Sequence, residues 1–165
     1  FPTLVEAAGY DVVAHYEKEN GIDGRSLLGL MNDVSNANNS YTRDTRYWHY
    51  PFNVIYNNPY DGLNLTPHSA IREGDYKLIF DWHGRLKLFN IKEDISETTN
   101  LAKQMPELTN KLFAELVNWL DENVKPSYWP KVNPDYNAAN DVHDVSYVNL
   151  IEIYRNGGDV AENAN

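Results

Sequence analysis

Residues 69–89 alternate apolar and polar side chains in the way that an antiparallel meander requires. Side chains on a strand alternate between its two faces, so four large apolar residues over 76–82 share one face: Tyr76, Leu78, Phe80 and Trp82. Leu86 and Leu88 continue the alternation in the next strand. Glu73-Gly74-Asp75 and His83-Gly84 are predicted to form the turns between these runs, and Gly84 tolerates the positive φ that a short hairpin needs. We therefore predict strands over 69–72, 76–82 and 85–89.

A four-residue spacing of apolar side chains over 107–124 predicts an amphipathic helix. The spaced residues are Leu108, Leu112, Leu116, Leu120 and Val124. Pro106 precedes them and suits the first turn of a helix. Burying this row would contribute on the order of 10 kcal/mol before conformational entropy is subtracted. The helix is therefore predicted to pack across one face of the sheet.

The aromatic run over 46–52 predicts a further strand, which Pro51 would end. The predicted fold class is α+β: a small antiparallel sheet of about four strands packed against one long C-terminal amphipathic helix, with long loops and an extended C-terminal arm. We divide the chain into a linker segment with short helices over 1–44, an α+β subdomain over 45–124, and the arm over 125–165. In the linker, Gly9 should end one helix and Ser26 should cap another. The last ten residues are expected to fray.

Composition excludes several classes of function. The 165 residues carry 24 Asp and Glu against 14 Lys and Arg, a net charge of −10, which argues against a nucleic-acid or anionic-membrane surface. No cysteine is present, so disulfides, thiolate metal sites and thiol catalysis are excluded. The five histidines lack the spacing of a metal site. Arg72 and Lys77 are expected to be solvent-facing strand charges.

Several motifs resemble the C-terminal subdomain of the formylglycine-dependent sulfatases, within the alkaline phosphatase superfamily. They are AIREGDYKLI over 70–79, GRLKLFNI over 84–91 and DISETTNLA over 94–102. FPTLVEAAG over 1–9, IDGRSLLGLM over 22–31 and YWHYP over 47–51 are similar to preceding segments of the family. The resemblance extends in order over about residues 1–120. We interpret the chain as a fragment from the non-catalytic end of a larger enzyme.

The resemblance implies a parent enzyme that hydrolyses sulfuric esters, with a sulfated carbohydrate as its substrate. Such sulfatases use a formylglycine made within a C/S-x-P-x-R motif and a calcium ion held by Asp and Asn. No such motif occurs in this chain. We therefore expect no catalytic residue, metal site or cofactor here, and predict that the chain alone is inactive. The implied partner is an N-terminal catalytic domain of the same polypeptide, and the implied location of the parent is periplasmic or extracellular.

Three residues around YWHYP are candidates for substrate binding: Arg46, His49 and Tyr50. In the sulfatases that this chain resembles, the matching segment approaches the mouth of the catalytic pocket. Arg46 and His49 could there donate hydrogen bonds to a hydroxyl, carboxylate or sulfate group. The alternative is that His49 is a half-buried histidine whose ring bonds to the backbone.

Two other functions remain open from the sequence. The chain could be a stand-alone, non-enzymatic binding or docking module, or the tail of a related phosphodiesterase or phosphonate hydrolase. A domain belonging to a larger enzyme should expose an apolar surface where its partner packs. The candidates for that surface are Phe1, Leu4, Val5, Leu27, Leu28 and Leu30.

Overall fold

The computed structural model describes residues 1–11, 24–32, 45–52, 66–140 and 146–165. These residues belong to two compact units, Phe1–Arg43 and Asp44–Asn165. Much of the chain between β-strand and helix segments, where the long loops are predicted, lies outside the described residues, namely residues 12–23, 33–44 and 53–65. The strands and the long helix are all in the second unit.

The second unit contains a four-stranded antiparallel sheet in the order β1-β2-β3-β4. Its strands are β1 Thr45–Tyr50, β2 His68–Glu73, β3 Tyr76–Asp81 and β4 Arg85–Asn90. Gly74 and Gly84 make the tight turns with φ of 55° and 109°. The predicted meander is confirmed to within one or two residues at each strand end.

Helix α3, Pro106–Asn123, packs on one face of this sheet. We call this the helix face; its strand residues include Tyr47, His49, Ser69, Ile71, Leu78, Phe80, Leu86 and Leu88. Leu112, Leu116 and Leu120 are fully buried, as the four-residue spacing predicts. Leu108 and Val124, at the two ends of that row, are only half-buried. The buried stripe instead includes Thr109, whose hydroxyl lies 3.0 Å from the carbonyl oxygen of Ala102.

The outer edge of β4 is occupied by the segment that follows it. Asn100 accepts a hydrogen bond at Oδ1 from the Leu88 N–H at 3.0 Å and donates one from Nδ2 to the Leu86 carbonyl at 3.1 Å. The Leu101 N–H also donates to the Leu88 carbonyl at 2.8 Å. An amide side chain and one backbone N–H thus satisfy backbone groups of β4 that a fifth strand would pair.

The α+β prediction is confirmed, although the long helix is not the last element. Residues 125–140 form an exposed segment with two 3-10 turns, Pro126–Tyr128 and Ala138–Asn140, and this part fits the predicted extended arm. Two short helices then follow, α4 Leu150–Arg155 and α5 Val160–Asn163.

The prediction that the last ten residues fray is wrong. Val160, Ala161 and Ala164 are buried, and Val160 and Ala164 belong to the core. The Asn110 side chain accepts hydrogen bonds from the Val160 and Ala161 N–H groups at 3.1 and 3.0 Å. Small side chains let this segment pack closely against α3, which a composition rich in Gly, Asn and Ala conceals.

The first unit contains α1 Pro2–Ala7 and α2 Leu28–Asn32. Gly9 follows α1 with φ of 85°, and the Ser26 hydroxyl accepts from the Leu28 N–H at 3.2 Å, as predicted for both. The Leu27 N–H donates to the Thr3 hydroxyl at 3.0 Å, so the two helices are joined directly.

Candidate binding site on the sheet

Strand β1 divides the three predicted substrate-binding residues between the two faces of the sheet. His49 lies opposite Ser69 and shares the helix face with Tyr47. Arg46 and Tyr50 point to the other side, because odd and even positions of a strand face opposite ways. The structure therefore brings Arg46 and Tyr50 to a common surface and separates His49 from both.

Both ring nitrogens of His49 have partners within the chain. Nδ1 lies 2.9 Å from the Ser69 hydroxyl, and Nε2 lies 3.0 Å from the Tyr128 carbonyl oxygen. Because a carbonyl only accepts, Nε2 must carry the hydrogen in this contact. A neutral ring then accepts at Nδ1 from Ser69, whose oxygen also accepts from Trp82 Nε1–H at 3.0 Å. The four groups form one continuous chain of hydrogen bonds.

This chain of hydrogen bonds joins the sheet to the segment after α3. The Tyr128 carbonyl lies next to Trp129, whose ring meets Trp82 edge-on at 5.5 Å. Arg155 from α4 lies 5.4 Å above the Trp129 ring and binds Asp121 at 2.8 Å. His49 is thus placed to hold residues 126–129 against the sheet. Sequence patterns could not show this pairing, because His49 and Tyr128 are 79 residues apart.

The face opposite the helix carries most of the sheet's charge, and we call it the charged face. Its twelve strand positions are Arg46, Trp48, Tyr50, His68, Ala70, Arg72, Lys77, Ile79, Asp81, Arg85, Lys87 and Phe89. Five are Arg or Lys and one is Asp. Trp48 and Tyr50 are 49% and 40% exposed, so this face also presents aromatic rings. Trp48, between Arg46 and Tyr50, is the residue that period-two alternation could have added to the predicted site.

The perturbed pKa values belong to structural contacts. Backbone N–H groups of Thr99 and Thr98 lower the pKa of the Asp94 carboxyl in the turn after β4. A hydrogen bond to Glu73 raises the pKa of Lys111 on α3. Burial raises the pKa of Tyr47, whose ring stacks on Trp119 at 4.8 Å. Each of these three shifts follows from a contact within the second unit.

Metal binding and membrane insertion find no support in the described ranges. There, no three His, Asp or Glu side chains gather into a group that could hold a metal ion. His15 and His143 lie outside those ranges. Of the helices that the structure describes, none is long and apolar enough to cross a membrane. A depression beside α3 and α5 is lined by Asn110 and Asp159, but Asn110 already caps α5.

The amino-acid sequence is similar to that of known proteins. No protein-family model matches it. A curated protein from Formosa agariphila, described as a sulfatase, is 29% identical over 143 residues, which cover 79% of this chain and 24% of that protein. The resemblance to sulfatases is confirmed. The chain spans about a quarter of the length of this sulfatase.

Solved structures share the fold at lower identity. One was solved in complex with its substrate D-glucosamine-2-N,6-O-disulfate; it is 23% identical, has a TM-score of 0.51, and the match covers 74% of this chain and 24% of that one. Another, Ps i-CgsB in complex with k-i-k-neocarrahexaose, is 22% identical with a TM-score of 0.53, over 79% of this chain and 25% of that one. Both extend well beyond the part that this chain matches.

Proposed function

We propose that this chain is the C-terminal, non-catalytic domain of a sulfatase, a sulfuric ester hydrolase acting on a sulfated carbohydrate. The observation that carries the proposal is the similarity to the Formosa agariphila sulfatase over 79% of the chain. The sugar ligands of the two structural neighbours, one of them a disulfated glucosamine, support a sulfated carbohydrate as the substrate class.

The formylglycine and the calcium ion of such an enzyme would have to come from the rest of the polypeptide. This chain has no cysteine and no Ser in an S-x-P-x-R context from which formylglycine could form. The described residues contain no carboxylate cluster that would suit calcium. The residues present therefore do not fit either group, and we derive no catalytic step in this chain.

The first unit supports the proposal of a partner domain in the same polypeptide. Phe1, Leu4 and Leu27 are 66%, 76% and 43% exposed, and Met31 is 70% exposed. Of the other predicted residues, Val5, Leu28 and Leu30 are half-buried. Exposed apolar side chains on two adjoining short helices are typical of a surface that another domain covers. The catalytic domain is the occupant that we propose.

We propose that Arg46 and Tyr50 contact the substrate directly at the rim of the pocket. Within the described part of the chain, the Arg46 guanidinium forms no hydrogen bond or ion pair, so its donors are available to a sulfate or carboxylate. For His49 the geometry favours a positioning role, since direct contact would require one ring nitrogen to leave Ser69 or Tyr128.

The test is to express the longer gene product and measure sulfate release from sulfated and desulfated oligosaccharides. We expect hydrolysis by the longer protein and none by the 165-residue chain. Arg46→Gln and Tyr50→Phe should raise KM with little change in kcat, and Lys103→Gln, an exposed control, should change neither. Hydrolysis of a phosphodiester in preference to a sulfate ester, or sulfate release by the 165-residue chain, would contradict the proposal.

The proposal includes export of the longer protein to the periplasm or the medium, by analogy with the sulfatases that it resembles. Fractionation of the source cells with an antibody against this domain tests it. Recovery of the protein only in the cytoplasmic fraction would contradict export without affecting the proposed reaction.

A further inference from the structure

We propose that the charged face is a docking surface for a sulfated polysaccharide chain, which contacts several of its strands at once. This rests on the proposed function for the choice of a sulfated glycan. The location of the surface follows from charge, from register and from the exposure of Trp48 and Tyr50, whereas Ala70 and Phe89 on the same face are buried.

Charge is strongly segregated in this protein. The whole chain has 14 Lys and Arg against 24 Asp and Glu. Yet the twelve positions of the charged face include five of those cations and a single carboxylate, Asp81. An anionic ligand would be repelled by the protein as a whole and attracted here. The face therefore has the charge complementarity that a polyanion requires.

Strand register places like charges directly opposite one another. Arg46 faces Arg72 across β1 and β2, and Arg72 faces Lys77 across β2 and β3. Neighbouring strands are about 4.8 Å apart, so this arrangement is unfavourable unless anions compensate it. Lys77 has such an anion in Glu97 at 2.6 Å. Among the described residues, Arg46 and Arg72 have no acidic partner, and an incoming sulfate would supply one.

Exposed aromatic rings adjoin the row of cations. Trp48 follows Arg46 on the same side of β1 and lies opposite Ala70, a small residue that does not project over the indole. Tyr50 continues the line, with its ring 5.3 Å from that of His68. Amphipathic rings of this kind can stack on a sugar while Arg donates to its sulfate groups. Rings beside cations therefore favour a sulfated sugar polymer over a simple inorganic anion.

The experiment measures binding of heparin oligosaccharides, and of the same oligosaccharides after desulfation, to the 165-residue chain. We expect the sulfated form to bind at least about tenfold more tightly, with an affinity that falls as salt rises. The double variant R46Q/R72Q should lose about tenfold in affinity and show a shallower salt dependence. Trp48→Ala should lose several-fold at constant charge.

The matched control is K103Q/K131Q, which removes two exposed lysines from elsewhere on the second unit and makes the same change in net charge. It should bind as the wild type does, and circular dichroism should show both doubles folded. Equal losses in the two double variants would overturn the proposal, since binding would then depend on net charge alone. Tighter binding of single-stranded DNA than of heparin would overturn it as well.

Measurements of binding and hydrolysis with the longer protein distinguish this proposal from the proposed function. If R46Q/R72Q weakens heparin binding but no sulfate ester is hydrolysed, the docking surface stands and the sulfatase assignment fails. If a sulfate ester is hydrolysed but R46Q/R72Q leaves heparin binding by the longer protein unchanged, the docking surface fails and the sulfatase assignment stands. That second result would also be expected if another domain or a second copy covered the charged face.

Discussion

The two faces of the four-stranded sheet differ in composition and in their effect on stability. On the helix face, Ile71, Leu78 and Leu88 are fully buried against α3. On the charged face, Arg46, Arg72 and Lys77 lie side by side across three strands. The first arrangement stabilises the fold by removing apolar area from water, whereas the second works against stability because like charges repel. Residues of the same strands therefore serve the fold on one side and, as we propose, bind a ligand on the other.

The largest expected effect comes from neighbouring residues of β3 that point to opposite faces. Leu78→Ala on the helix face should lower the free energy of unfolding by about 2–5 kcal/mol, because a cavity forms in a fully buried site. Ile79→Ala on the charged face should cost no more than about 1.5 kcal/mol, since that side chain is only half-buried. Urea denaturation measures both. Equal losses of unfolding free energy in the two variants would contradict the difference that we describe between the two faces.

A smaller effect is expected where the C-terminal segment meets the hairpin between β3 and β4. A Cβ on Gly84 would lie 2.6 Å from the Val148 carbonyl oxygen, at φ of +109°. Gly84→Ala should therefore lower stability by about 2–3 kcal/mol. The matched control is Gly74→Ala, with φ of +55° and no atom within 4 Å, for which about 1 kcal/mol is expected. A larger loss at Gly74 than at Gly84, measured by thermal unfolding, would show that this contact is unimportant.

The turn after β4 should make stability depend on pH. Hydrogen bonds from the Thr99 and Thr98 N–H groups lower the pKa of Asp94 below its ordinary value of 3.8. Its contribution is therefore present above that value and is lost as pH falls through the lowered pKa. The turn also holds Glu97, the partner of Lys77. Asp94→Asn should flatten the acid side of the stability profile, whereas Asp135→Asn should not. Parallel profiles for wild type and Asp94→Asn would exclude this linkage.

The smallest predicted change in the free energy of unfolding is an increase rather than a loss. Arg72→Gln removes the central cation of the row and should leave stability unchanged or raise it by up to about 0.5 kcal/mol at low salt. The gain should vanish at high salt because the repulsion is screened. Lys103→Gln provides the comparison at equal charge change. A loss above about 1 kcal/mol would mean that Arg72 has a structural role and would weaken the contrast between the two faces.

Local patterns predicted most of the fold. The alternation over 76–89 and the four-residue spacing around Leu112 and Leu116 each depend on neighbours in sequence, and each produced an element close to its observed bounds. The end of the chain was predicted wrongly because the burial of Val160 depends on Asn110, 50 residues away. The placement of the candidate site residues could be predicted only in part, for the same reason. Arg46 and Tyr50 share a face by alternation, but the partners of His49 come from β2 and from the segment after α3.

Asn100 restricts which edge of the sheet another strand could join. Together with the Leu101 N–H, its amide occupies backbone groups of Leu86 and Leu88, which an incoming strand would need at this edge. A neighbouring sheet or an added strand would have to join at β1, the strand that carries Arg46, Trp48 and Tyr50. Addition of a strand and binding of a ligand would then compete for the same edge of the sheet.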